Sequence, residues 1–99
     1  MRTEFKHGIT ASLNRDGKLW AIKVTDPMYP TARGIKVGDS TAEIFKAYGS
    51  PDGSGEYTHK WSNIQCVEYG YYMFEGYTLV FITDKGSQKI VEIGVHGFN

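Results

Sequence analysis

The sequence predicts an α+β domain, a curved antiparallel sheet of about five or six strands with one short α-helix packed on one face. Three observations carry this reading. Asp16-Gly17 sits between two alternating runs, and such a pair suits a type I′ hairpin turn, which needs positive φ at both central positions. A short helix complete with its start and stop signals lies at 40–49. Finally, Lys18-Leu19-Trp20-Ala21-Ile22-Lys23-Val24 before that helix is echoed by Lys89-Ile90-Val91-Glu92-Ile93-Gly94-Val95 after it. Both segments read Lys, aliphatic, two variable residues, Ile, one variable residue, Val, which suggests a hairpin–helix–sheet unit preceded by the tail of a similar unit.

The first element is a hairpin over 5–25. Counting outward from Asp16-Gly17 places Leu13 opposite Trp20, Ala11 opposite Ile22 and Ile9 opposite Val24, six apolar residues on one face. The other face carries Thr10, Ser12, Asn14, Ala21 and Lys23. Pro27 and Pro30 lack backbone donors and end the second strand in a loop. Ser40, with Glu43 three residues on, reads as a capping box. Thr41 to Tyr48 form about two turns, with Ile44, Phe45 and Tyr48 on one face. Gly49 is a left-handed stop and Pro51 forbids continuation. So short a helix does not hold alone in water and needs a sheet to lie on.

The remainder, within a single domain spanning 1–99, reads as a meander completing a 31–96 unit. Ser50-Pro51-Asp52-Gly53-Ser54-Gly55 is expected to be a flexible loop, followed by a strand from Glu56 to Trp61 with Tyr57, His59 and Trp61 on one side. Strands are expected at 65–74 and 77–83 around a tight Glu75-Gly76 turn, and the last at 89–96. That turn would set Phe74 against Tyr77, Tyr72 against Leu79 and Gly70 against Phe81, a ring covering a bare glycine.

On this register the last three strands are apolar on both sides. Tyr72, Phe74, Tyr77, Leu79, Phe81, Val91, Ile93 and Val95 fall to the core under the helix. Tyr69, Tyr71, Met73, Val80, Ile82 and Ile90 fall to the opposite face, relieved by Thr78 and Glu92. An antiparallel sheet ordinarily wets one face, so an uncovered aromatic face marks a contact surface. Tyr69, Tyr71 and Met73, with Trp61, are the candidate binding residues. Aromatics make up 14 % of the chain, seven of them Tyr, a richness that suits both strands and contact surfaces.

Composition narrows the function classes. Eleven basic residues balance eleven acidic ones, so the basic footprint of nucleic-acid binding is missing. No apolar run approaches the ~18 residues that span a bilayer as a helix. The start, Met1-Arg2-Thr3-Glu4-Phe5-Lys6-His7, lacks the apolar centre of a secretory leader, so the expectation is a cytoplasmic chain or one shown without its leader. The single Cys66 makes no internal disulfide and no metal framework. His7, His59 and His96 show no His-x-x-x-His spacing, so neither a metal nor a cofactor is expected. Cys66 with His59 is the one thiol–imidazole pair. A nucleophile also needs an oxyanion cradle, and Cys66 is read instead as a small buried hydrophobe. Gly34 and Gly38 flank a helix start able to hold an anion, yet Asp39 and Glu43 crowd it with negative charge. Asp52 and Glu56 are isolated loop acids. No catalytic residue is assigned and no enzyme is expected.

The string Thr31-Ala32-Arg33-Gly34-Ile35-Lys36-Val37-Gly38-Asp39-Ser40, followed by a helix ending Tyr48-Gly49-Ser50-Pro51, resembles units of the β-lactamase-inhibitor-protein-like fold shared with the SmpA/OmlA group of small envelope lipoproteins. Tyr77-Thr78-Leu79-Val80-Phe81 and Lys89-Ile90-Val91-Glu92-Ile93 fit the closing hairpin of such a unit. Residues 9–24 resemble the closing hairpin of an earlier one. The sequence lacks the lipid-anchored Cys of the lipoproteins near its start, and the paired cysteines and second full unit of the inhibitor. The resemblance therefore implies neither anchoring nor β-lactamase inhibition. It does imply a non-enzymatic, extracytoplasmic module, secreted or in the cell envelope, that binds another protein through its sheet. A small-molecule-binding domain and a self-associating unit, forming a homodimer by exchange of hairpins, are the alternatives.

Overall fold

The computed structural model describes residues 2–6, 8–13, 15–59, 63–73 and 76–97, residues 2–6 as backbone only. One α-helix accompanies one antiparallel sheet. The strands are β1 (Arg2–Lys6), β2 (Ile9–Leu13), β3 (Leu19–Val24), β4 (Gly53–Thr58), β5 (Gln65–Tyr72), β6 (Thr78–Asp84) and β7 (Ile90–His96), with α1 (Thr41–Tyr48) between β3 and β4. The sheet order is β1-β2-β3-β7-β6-β5-β4, seven strands rather than five or six. The added strand is β1, whose Arg-Thr-Glu-Phe-Lys sequence has no apolar alternation to announce it. It joins β2 through the backbone ladder at the sheet edge.

The two echoing segments lie side by side. β3 and β7 pair antiparallel, with Ile22 opposite Val95 and Val24 opposite Ile93. Within the first hairpin, Ile9 meets Val24 and Ala11 meets Ile22, as the turn count predicts. The third pair differs, because a register shift beside Ser12 sets Leu13 against Leu19. Trp20 is thereby freed from that row and is 46 % exposed. A bulge of this kind re-aims one side chain while the ladder continues.

α1 forms where its signals stand. The Glu43 N–H donates to Ser40 Oγ at 3.3 Å and the Ser40 N–H to Glu43 Oε1 at 3.1 Å, so two orphan donors are satisfied reciprocally. Gly49, at φ +79°, ends the helix, and its N–H returns to Phe45 O at 2.8 Å. Ile44 is fully buried in one cluster with Ile35, Tyr71, Leu79, Phe81, Ile90 and Ile93. The Tyr48 ring lies 5.4 Å from those of both Tyr71 and Phe81, and Phe45 meets Tyr69 edge-on at 5.2 Å.

The segment from Thr31 to Ser40 is bound to both helix and sheet. Tyr48 donates its hydroxyl to Thr31 Oγ1 at 2.9 Å, and Arg33 stacks 4.8 Å above the Tyr48 ring while donating to Ala47 O. Gly38 N–H donates to Ile90 O, and Ile90 N–H to Asp39 O. This strap seats Ile35 over the buried end of β7.

The β5–β6 register is the main correction. The Met73 N–H donates to Tyr77 O at 2.9 Å, and the Gly76 N–H to Met73 O at 3.0 Å. The hairpin therefore closes around three residues, with Gly76 at φ +90° in the left-handed position such a loop requires. Tyr72 pairs with Thr78, Tyr71 with Leu79 and Gly70 with Val80, one residue away from the expected pairing. Because side chains alternate with period 2, a one-residue slip turns every residue of β5 to the other face. Tyr71 is 4 % exposed and Tyr72 is 74 % exposed, the reverse of the expectation. Gly70 consequently lies opposite Val80 and Gly53 rather than Phe81. Phe74 falls outside the described residues.

A second shift, at Ile82/Thr83, treats β7 in the same way over a shorter reach. Ile82 pairs with Glu92 and Thr83 with Ile90, leaving Val91 without a partner in the ladder. Ile90 therefore joins the core while Val91 is 41 % exposed, an exchange of the expected faces. At the far edge, β4 begins at Gly53, inside the expected flexible loop, and ends at Thr58, short of the expected Trp61. Its Gly-Ser-Gly start has no apolar signal and is held by paired backbone alone.

Candidate functional site

Three of the expected contact residues are core residues or neighbours of the core. Tyr71 is buried, and its hydroxyl donates to Gly49 O at 2.9 Å. Burial raises the Tyr71 pKa above its ordinary value, and nearby Asp52, Tyr69 and Tyr48 add to the rise. Tyr69 and Met73 are partly buried and pack against the core cluster. Their placement on an open contact face is corrected, for the reason given by the three-residue loop. Trp61, the fourth, lies outside the described residues, as does His7.

The other face of the sheet holds a groove of about 680 Å³. Pairing explains its floor, because directly opposed residues share a face. Three rows cross the strands here. Tyr57, Cys66 and Asp84 form one. Glu68, Ile82 and Glu92 form the next. Val80, Gly94 and Lys23 form the third, which continues through Gly70 to Gly53 at the β4 edge. Trp20, placed by the β2–β3 register shift, and Ile64, beyond the β4 end, also line the groove. His59 and Ile64 are joined by a 2.7 Å backbone hydrogen bond.

The central floor of the groove is bare at Gly94, and Gly70 and Gly53 continue its row beyond the groove. Gly53, Gly70 and Gly94 have no positive φ, so their backbone does not demand glycine. A Cβ at Gly94 would come no nearer than 3.9 Å to Ile22 O, one at Gly70 3.8 Å to Gly53 O, and one at Gly53 would meet nothing within 4 Å. At Gly94 a side chain is missing where the backbone could carry one, and the groove takes the space.

The electrostatics are uneven. Glu68 and Glu92 flank Ile82, and among the described residues neither carboxylate takes part in an ion pair or hydrogen bond. Burial raises the pKa of Tyr57, and Cys66, Glu92 and Glu68 raise it further. His96 stands at the opposite end of the groove, paired with Ala21, and Lys23 lies in the row between, opposite Gly94.

Cys66 and His59 both line the groove, as the expected thiol–imidazole pair, but Cys66 is ill placed as a nucleophile. It is 2 % exposed, and burial, followed by Asp84 and Glu92, pushes its thiol pKa up. Its Sγ contacts Ile64 O at 3.8 Å. A thiolate requires the opposite environment. No cluster of three or more metal-ligating side chains occurs among the described residues. No helix there is long and apolar enough to cross a membrane.

Sequence reasoning missed the groove because it depends on two register shifts. Two signals pointed toward it. Glu68 and Glu92 are single acids inside otherwise apolar strands, and Gly70 and Gly94 sit in strand interiors where glycine weakens the strand. No family model, curated protein or solved structure matches the chain.

Proposed function

We propose that this chain is a non-enzymatic binding module whose site is the groove, and that it takes a small molecule with an apolar body. In this reading α1 roofs one face of the sheet and leaves the other to the ligand. The observation that carries it is the groove's volume, about 680 Å³, within the range of small-molecule sites. Its wall and floor, Trp20, Tyr57, Ile64, Val80 and Ile82 with a few convergent polar groups, suit such a ligand. The extracytoplasmic setting implied by the resemblance is kept as part of the proposal. Docking of a protein through Tyr69, Tyr71 and Met73 is not carried forward, since those side chains serve the core.

The test is titration with N-phenyl-1-naphthylamine, a neutral apolar dye that brightens when desolvated. Saturable binding at one site is expected, and Gly94→Leu, which fills the floor, should reduce it by about tenfold or more, one lost buried side-chain contact being worth this much. A dye that binds the Gly94→Leu variant as well as the original chain would refute the reading.

A further inference from the structure

From the disposition of charge along the groove, we infer that its natural ligand is an elongated apolar amine, its ammonium seated between Glu68 and Glu92 and its body running toward Trp20. The inference rests on the groove reading above and specifies the ligand class.

The two carboxylates lie on β5 and β7 with Ile82 of β6 between them. Two strand spacings separate their backbones by about 10 Å, a gap that a single ammonium can bridge while touching both side chains. Each carboxylate lacks a counter-charge among the described residues. Glu92 is also half-buried. Lys23 lies opposite Gly94, one row away, and pairs with neither. Glu68 is exposed, so the cost of an unpaired charge falls on the half-buried Glu92, and a bound cation supplies a partner to both.

The other walls fit the same ligand. Tyr57 lines the groove in the row next to the carboxylates, and an aromatic ring there favours a cation. Its phenol pKa is raised by burial, then by Cys66, Glu92 and Glu68. From the Glu92 row to the His96 row is four residues along β7, about 13 Å of strand. Val80, Gly94 and Ala21 floor that distance and Trp20 closes it. An anion entering the same way would meet the two carboxylates. An anion entering reversed would set its charge by Lys23 and His96 but leave its apolar end between the two carboxylates, whereas a cation by Glu68 and Glu92 leaves its apolar body along Val80, Gly94 and Trp20.

The experiment compares three probes of one shape, 4-phenylbutylamine, 4-phenylbutanol and 4-phenylbutyrate, by calorimetric titration of the full chain at neutral pH. The amine should bind about tenfold more tightly than the alcohol, in keeping with charge-assisted contacts, and the carboxylate most weakly. Glu68→Gln and Glu92→Gln should each weaken the amine by about three- to tenfold and the alcohol by distinctly less. Equal affinities for amine and alcohol, or tighter binding of the carboxylate, would overturn the ligand class while the groove reading stands on the dye. Failure of all three probes together with the dye would overturn both. The comparison on the unsubstituted chain decides the matter even where a Gln variant folds poorly.

Discussion

Tyr71 and Gly49 are joined by a hydrogen bond of 2.9 Å, from a phenol rising out of the sheet to the carbonyl at the end of the helix. Gly49 O belongs to the helix terminus, where carbonyls lack intrahelical donors. A sheet residue therefore supplies the helix stop with its partner. The same ring packs against Tyr48 and Phe81, so one side chain ties the register of β5 to the position of α1.

Removing only the hydroxyl isolates the polar part of that tie. Tyr71→Phe should lower unfolding free energy by about 1 kcal/mol. Tyr71→Ala also empties the core beside Phe81 and should cost about 3–5 kcal/mol. Urea denaturation of both variants measures the pair of values. A Tyr71→Ala variant as stable as the original chain would contradict the placement of Tyr71 in the core.

The helix start allows an independent measurement. Ser40→Ala removes the side-chain acceptor of the Glu43 N–H, which keeps only the Ser40 carbonyl, and leaves Glu43 with half of its capping box. A loss of about 1 kcal/mol is expected, visible as a lower urea midpoint at unchanged slope.

Asp39 gives the fold a dependence on acid. Burial alone would raise its carboxyl pKa, but the backbone N–H of Lys36, the Lys36 ammonium at 3.1 Å and the more distant Lys89 outweigh burial and hold it below the ordinary 3.8. Since the folded pKa is depressed, the contribution is present above the unfolded pKa and is lost as pH falls through the folded value. Urea midpoints of the original chain should fall on acidification below about pH 4, the ordinary carboxylate range. Asp39→Asn should be less stable at neutral pH, with the gap narrowing as acid removes the same charge from the original.

Gly94 separates binding from stability. Its backbone is ordinary strand and its Cβ site is clear to 3.9 Å, so Gly94→Val should leave stability unchanged or raise it by up to about 1 kcal/mol through better strand propensity. Thermal unfolding beside dye titration tests the pairing of unaltered stability with lost binding.

Cys66 should resist thiol reagents while the chain is folded. Its pKa is raised by burial and then by Asp84 and Glu92, and a raised thiol pKa leaves less of the reactive thiolate. Reaction with a chromogenic disulfide at pH 8 should be slow in buffer and rapid in urea. Equal rates in the two media would place the thiol in solvent.

Local chemistry determined where the helix starts and stops, while its packing on the sheet holds it. Ser40, Glu43, Gly49 and Pro51 act within a few residues of one another, and the hydrogen bonds they form in the structure are those their spacing dictates. Much the same holds for Ala11 with Ile22 and Ile9 with Val24, and for the apolar face shared by Leu79, Phe81, Ile93 and Val95. Tertiary structure decided which face β5 turns inward. The preference of Gly76 for a three-residue loop over a two-residue one moved the ladder by one step, and period-2 alternation then exchanged the whole strand. The bulges at Trp20 and Val91 are small in the same sense, each displacing one residue. The groove's charged row exists because the β5 slip turns Glu68 to the face that already carries Ile82 and Glu92, away from the core cluster, while Gly94 leaves the floor open. A strand's sequence specifies its two faces well, whereas which of them turns inward is set by loop closure and by pairing with strands far along the chain.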